Sequence, residues 1–118
     1  MTTNEFLNEF LFLEFSRYPA VRPKIVCKDG FEVSVQASEF HYCHPRINTN
    51  PMLYNKVELG FPSEVVPEWL YYAEELDDPT DTVYGYVPVE LVDAALEKHG
   101  GIDLKKDKRK LYSAYGEP

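Results

Sequence analysis

No run in this 118-residue chain approaches the roughly 18 consecutive apolar residues that a membrane-spanning helix needs. The most apolar stretch, FLNEFLFLEF from Phe6 to Phe15, is interrupted by Asn8, Glu9 and Glu14. The start also lacks the basic residues and small-residue cleavage site of a signal peptide. These absences predict a soluble, cytoplasmic protein with no membrane partner. Cysteine is scarce as well. Cys27 and Cys43 are the only two, and without a secretion signal such a pair stays reduced more often than it forms a disulfide. A chain of this length supports one domain with a hydrophobic core and no staple.

The most informative absence is a charge. Between Val57 and Glu97 there is no Lys or Arg, yet eleven Asp and Glu stand there, and the whole chain carries a net charge of −8. A field of that sign repels phosphate backbones and argues against ordinary duplex binding. It either attracts a basic surface on another protein or serves as a solvated face that keeps the molecule soluble. What the chain has in plenty is aromatic side chains: nine Tyr, seven Phe and one Trp, a composition that favours folding over disorder.

The pattern along the chain predicts an α+β domain. Residues 2–17 read as a helix: Thr2 and Glu5 have capping-box spacing, and Phe6, Leu7, Phe10 and Leu11 lead a wide apolar face. In KIVCKDGFEVSV, Asp29-Gly30 between two β-branched runs predicts a two-residue hairpin turn over 24–36. That turn sets Lys28 opposite Phe31 and Val26 opposite Val33, so Val26, Phe31, Val33 and Val35 share the core face. Ile25, Cys27, Glu32, Ser34 and Gln36 then share the other. Strands near 54–59 and 82–87 complete a small, largely antiparallel sheet.

Two more helices follow from the pattern, giving three packed on the sheet. Ser63 caps one that runs to about Glu75, burying Val65, Val66, Trp69, Leu70, Ala73 and Leu76. Pro88 opens the next, with Leu91, Val92, Ala95 and Leu96 inward, and Gly100-Gly101 closes it as a C-cap. The domain spans 1–118, with a core over about 23–102 and a basic tail, mobile or docking late, over 105–118.

Several constellations bear on chemistry. Cys27, His41, Cys43 and His44 are zinc-ligand types, but three of them crowd into four residues, unlike the spaced pairs of zinc sites. His41 shares a strand face with Cys43 as a base for a thiolate would, yet no third member or oxyanion hole accompanies them. Neighbouring acids such as Glu74-Glu75 single out no catalytic carboxylate pair. The chain is therefore expected to be non-catalytic, with no metal and no cofactor. A ligand pocket fits the 34–48 loop better. Gln36 and Ser38 lie on one strand face, followed by His41, Tyr42 and Arg46, which together offer hydrogen bonds, a stacking ring and a guanidinium for a small planar anion. The same groups equally suit anchoring of an irregular loop. Tyr84 and Tyr86 flank Gly85 on a strand and, at period two, share a face as a second aromatic pair.

Taken together, DGFEVSVQAS (29–38), FHYC (40–43), Pro45-Arg46, VELGFPS (57–63), TVYGYVPVE (82–90) and KHGGI (98–102) resemble segments of small proteins encoded by phages, prophages and integrative elements of Gram-positive bacteria. The likeness spans about residues 23–102 and brings no catalytic assignment. It implies the setting of a mobile-element accessory protein, where counter-defence against bacterial immunity is common. Two mechanisms then stand. Gln36, Ser38, His41, Tyr42, Arg46, Tyr84 and Tyr86 sequester a nucleotide immune signal, with a homo-oligomer framing the pocket. Alternatively, Glu74, Glu75, Asp77 and Asp78 mimic nucleic acid and block a basic host nuclease or effector. A third reading is an interaction module acting through the N-terminal helix.

Overall fold

The hairpin turns where Asp29-Gly30 predicts, but through a loop one residue longer than a two-residue turn. In the computed structural model, which describes residues 1–9, 22–47 and 53–103, strand β1 (Ile25–Val26) pairs with β2 (Glu32–Gln36) in the register Ile25↔Val33 and Val26↔Glu32. The Cys27 N–H donates to the Phe31 carbonyl (2.8 Å) and the Gly30 N–H to the Cys27 carbonyl (2.9 Å), leaving a three-residue loop, Lys28-Asp29-Gly30. Gly30 sits at φ +98°, the left-handed conformation that closes such a loop. Asp29 Oδ1 accepts the Phe31 N–H at 3.0 Å, and this Asx contact holds the wider turn.

A shift of one residue flips every side chain of a strand. Ile25 and Cys27, expected outside, are fully buried alongside Phe31, Val33 and Val35. Val26 moves to the opposite face, beside Glu32.

Two further strands extend the sheet, β3 (Lys56–Gly60) and β4 (Val83–Pro88), so that four antiparallel strands run in the order β1-β2-β3-β4. Both outer strands carry a short main-chain partner. Cys27 bridges Ile102 beside β1, and Ala73 bridges Tyr84 beside β4.

That second contact explains why the helix expected over 63–75 is short. It forms only as a 3₁₀ helix over Pro67–Tyr72, and Ala73 leaves it in extended conformation (ψ 136°). The Glu74 N–H is drawn to the Val83 carbonyl (2.9 Å) and the Glu75 N–H to Thr82 Oγ1 (3.0 Å). Sheet pairing thus takes the donors that would have continued the helix. Ser63 is not its cap. Its N–H instead donates to the Glu32 carbonyl and its hydroxyl accepts the Glu32 N–H. Of the predicted buried face, Trp69 and Val66 are buried, while Val65 and Leu76 are exposed.

The helix after Pro88 is as expected. Helix α2 (Val89–Lys98), the second α-helix after α1 (Thr3–Glu9), buries Val92, Ala95 and Leu96. It closes with Gly100 N–H to the Glu97 carbonyl (3.0 Å) and Gly101 N–H to the Leu96 carbonyl (2.8 Å), both glycines at positive φ.

Helix α1 carries the predicted capping box, with the Thr2 N–H on Glu5 Oε1 and the Glu5 N–H on Thr2 Oγ1. Its inner side is fastened by polar contacts as well as by buried Phe6 and Leu7. The N–H and hydroxyl of Thr3 both donate to Asp93 Oδ1 on α2, and the Asn4 amide makes two bonds with the backbone of Tyr54. The described residues therefore form an α+β domain with two α-helices and one 3₁₀ helix. Positions 10–17 of the predicted N-terminal helix, and all of the predicted tail over 105–118, lie outside the described residues.

At the far end of α2, the His99 ring stacks flat on Phe31 (centroids 4.1 Å apart, 6° between planes), and its Nδ1 lies 2.6 Å from Asp29 Oδ2. The Phe31 N–H, then His99, hold the Asp29 carboxyl below its ordinary value. A depressed carboxyl stabilises the fold fully above the unfolded value of about 3.9 and loses that contribution as pH falls through the lower folded value. Asp29→Asn should therefore lower the urea midpoint at pH 5 and lower it less at pH 3. An equal difference at both pH values would rule out this linkage.

Candidate functional site

Loop 37–47 folds against the ends of β2, β3 and β4, and its polar residues divide into two groups. The first group faces inward. Gln36 is buried, and its amide grips the Arg22 backbone in both directions, Oε1 accepting from Arg22 N–H and Nε2 donating to the Arg22 carbonyl, each at 2.8 Å. Ser38 is buried too. Its hydroxyl accepts the Phe40 N–H at 2.9 Å and lies 2.6 Å from His41 Nδ1. The Cys43 thiol donates to the Ser38 carbonyl at 3.2 Å. Burial pushes that thiol above its ordinary pKa, which disfavours the nucleophilic thiolate.

His41 therefore faces Ser38 through Nδ1. Burial pulls its pKa below the ordinary value against the pull of Glu58, with Arg22 and Arg46 lowering it further. His44 is exposed and pairs through its backbone with Lys56, while Cys27 lies in the hairpin core. Both cysteines are free thiols. Among the described residues, no three His, Cys, Asp or Glu side chains are grouped to hold a metal ion.

The second group faces outward and depends on an irregularity in β4. Val57 pairs with Val87 but Leu59 with Tyr84, so Gly85 and Tyr86 both stand opposite Glu58. This β-bulge breaks the period-two pattern. Tyr84 and Tyr86 consequently do not share a face. Tyr84 is fully buried with its hydroxyl on the Pro79 carbonyl, whereas Tyr86 is 42 % exposed.

Tyr86 adopts φ +56°, a left-handed conformation that costs a non-glycine residue about 1–2 kcal/mol. The bulge sends the Tyr86 N–H to the Tyr42 carbonyl at 3.0 Å, while the Tyr42 N–H donates to Glu58 Oε1 at 2.9 Å. Gly85 lies against Tyr42, where a Cβ would meet Tyr42 Cβ at 3.4 Å, an ordinary contact distance. The Tyr42 and Tyr86 rings end 5.9 Å apart and tilted by 34°, with the Arg46 guanidinium carbon 5.7 Å from the Tyr42 centroid.

Of the seven predicted ligand contacts, then, Tyr42, Arg46 and Tyr86 come together at the surface, Gln36, Ser38 and His41 brace the loop beneath them, and Tyr84 belongs to the core. The bracing role of Arg22 was not apparent from its sequence context. It is buried, donating from Nε to the Leu7 carbonyl (3.1 Å) and from Nη1 to the Ala37 carbonyl (2.6 Å). An arginine between two proline-flanked segments gives no sign of that.

Glu74, Glu75, Asp77 and Asp78 are all exposed, on a loop that leaves the 3₁₀ helix along β4. The loop is ordered by its main chain: Asp78 N–H donates to the Glu75 carbonyl (3.0 Å) and Asp81 N–H to the Asp78 carbonyl (2.9 Å). None of the four carboxylates forms an ion pair among the described residues. Tyr71 (89 % exposed) and Leu76 (60 %) stand in the same stretch of chain. Among the described residues, clefts lie elsewhere. One of about 200 Å³ separates the 3₁₀ helix from α2, and one of about 390 Å³ runs between Met1 and the end of α2. No helix among the described residues is long and apolar enough to cross a membrane.

No protein-family model, curated protein or solved structure matches the chain. The geometry therefore carries the functional reading.

Two outcomes follow from the inward group. Ser38→Ala leaves the Phe40 N–H and the His41 ring short of a partner in a partly buried setting and should cost about 1 kcal/mol, read from urea unfolding. The His41 ring, followed by NMR, should titrate below the unperturbed value of about 6.5. Its contribution to stability is present above that value and is lost as pH falls through the lower folded one.

Proposed function

We propose that this chain is a non-catalytic inhibitor that binds a basic protein through the acidic edge carrying Glu74, Glu75, Asp77 and Asp78. The observation that carries the reading is the unneutralised charge itself: an ordered, exposed acidic loop within a stretch, Val57 to Glu97, that holds no lysine or arginine. Such a surface raises association rates with a cationic cleft and disfavours nucleic acid as a direct ligand. Tyr71 and Leu76 offer apolar contact beside the charge, as binding surfaces need where steering alone gives little affinity. The resemblance to mobile-element proteins suggests the partner class, a host nuclease or other nucleic-acid-handling defence effector in the cytoplasm. Sequestration of a nucleotide inside a seven-residue pocket has less support, because Gln36, Ser38, His41 and Tyr84 already spend their polar groups on the fold.

Purified basic nucleases of bacterial defence systems, assayed with and without the protein, test this reading. The native chain should inhibit at low salt and lose potency steeply as ionic strength rises. The combined Glu74→Lys, Glu75→Lys, Asp77→Lys, Asp78→Lys variant should keep its melting temperature, since main-chain bonds order the loop, and lose roughly tenfold or more in potency. If the reversed variant inhibits as well as the native chain, the acidic edge is not the inhibitory surface.

A further inference from the structure

The bulge in β4 calls for a reason beyond the fold of the strand. A regular β4 would pair with β3 without a left-handed tyrosine. Instead the chain holds Tyr86 at φ +56°, with the Tyr42 side chain packed against the backbone of Gly85. The result of this arrangement is two half-exposed tyrosine rings side by side with a guanidinium over one of them. Strained non-glycine residues concentrate where a surface must present particular groups.

A cation stands beside these rings, with one carboxylate close by. Arg46 is exposed, and His44 is paired backbone to backbone with Lys56, which sets those two exposed side chains next to each other on the same face. The Glu58 carboxylate accepts the Tyr42 N–H and orients the Tyr42 backbone while keeping its own charge. In a chain of net charge −8, a cationic group bordering two aromatic rings is a local exception.

We propose that Tyr42, Tyr86 and Arg46 form a surface site for a nucleotide: a planar base held by the tyrosine rings and a phosphate held by the guanidinium. Every base has a π-face, so ring stacking tolerates different bases, while Arg can take a phosphate through two parallel N–H donors. The buried group beneath the rings has a part in this. Gln36, Ser38 and His41 hold the loop that carries Tyr42 and Arg46, so the site is pre-organised by residues that never touch the ligand. The site shares no residue with the acidic edge, and the two stand or fall separately.

AMP, adenosine and inorganic phosphate, each titrated into the native chain and followed by amide NMR, test the proposal. AMP should shift the Tyr42, Arg46 and Tyr86 signals saturably, adenosine more weakly, and phosphate alone least. Arg46→Ala should weaken AMP by roughly tenfold, the size of one charge-assisted contact, and leave adenosine unchanged. Tyr86→Gly keeps the left-handed backbone without strain and should abolish both. The proposal is overturned if no titrant gives saturable shifts at millimolar concentration, or if Arg46→Ala binds AMP as the native chain does. It is equally overturned if the same signals move with protein concentration alone, which would make the patch a contact between copies of this chain.

Discussion

The buried guanidinium of Arg22 is the contact on which the rest of this small fold leans. An arginine removed from water is tolerated only where its donors are met, and here they are met by the carbonyls of Leu7 on α1 and Ala37 beyond β2. The backbone of the same residue is held by the Gln36 amide. One residue thus joins the N-terminal helix, the end of a central strand and the root of the loop that bears Tyr42 and Arg46. If α1 or the residue after β2 moves, the buried guanidinium loses one of its carbonyl partners. The outward group of the loop can be precise because the inward group has so little freedom.

A similar economy governs the other polar side chains. Asp93 belongs to the acidic stretch, yet it accepts both donors of Thr3 and fastens α1 to α2. Asp29 belongs to a turn, yet it also fixes the ring of His99 against Phe31. The small core is supplemented by bonds between chain segments distant in sequence. That suits a domain of this size, whose apolar interior alone gives a modest margin of stability.

Where the pattern in the chain was local, it was readable. The capping box of α1, the inward face of α2 and its double-glycine stop all depend on residues within a few positions of each other. The hairpin was readable as a hairpin but not in its register. Asp29-Gly30 serves a two-residue or a three-residue turn, and the choice was made by Asp29 bonding to Phe31 and His99. Local periodicity over 63–75 predicts a longer helix than the 3₁₀ helix that forms, because its end is set by β4, a partner that the periodicity does not contain. The bulge that separates Tyr84 from Tyr86 was illegible for the same reason. As for the site, Gln36, Ser38 and His41 were found, but serine, glutamine and histidine are chosen alike for bracing a loop and for gripping a ligand. Only their burial distinguishes the two uses.

The strip of chain beside β4 has a consequence for how this protein can change over generations. Ala73 and Glu74 cover that strand through main-chain bonds, and the turns at Asp78 and Asp81 are likewise made by backbone groups. A loop held in this way asks little of its own side chains. Substitutions at Glu74, Glu75, Asp77 and Asp78 can accumulate without loosening the sheet, while the strand they lie along stays shielded from pairing with a stranger. Such an edge is a place where sequence can drift while the fold stays as it is.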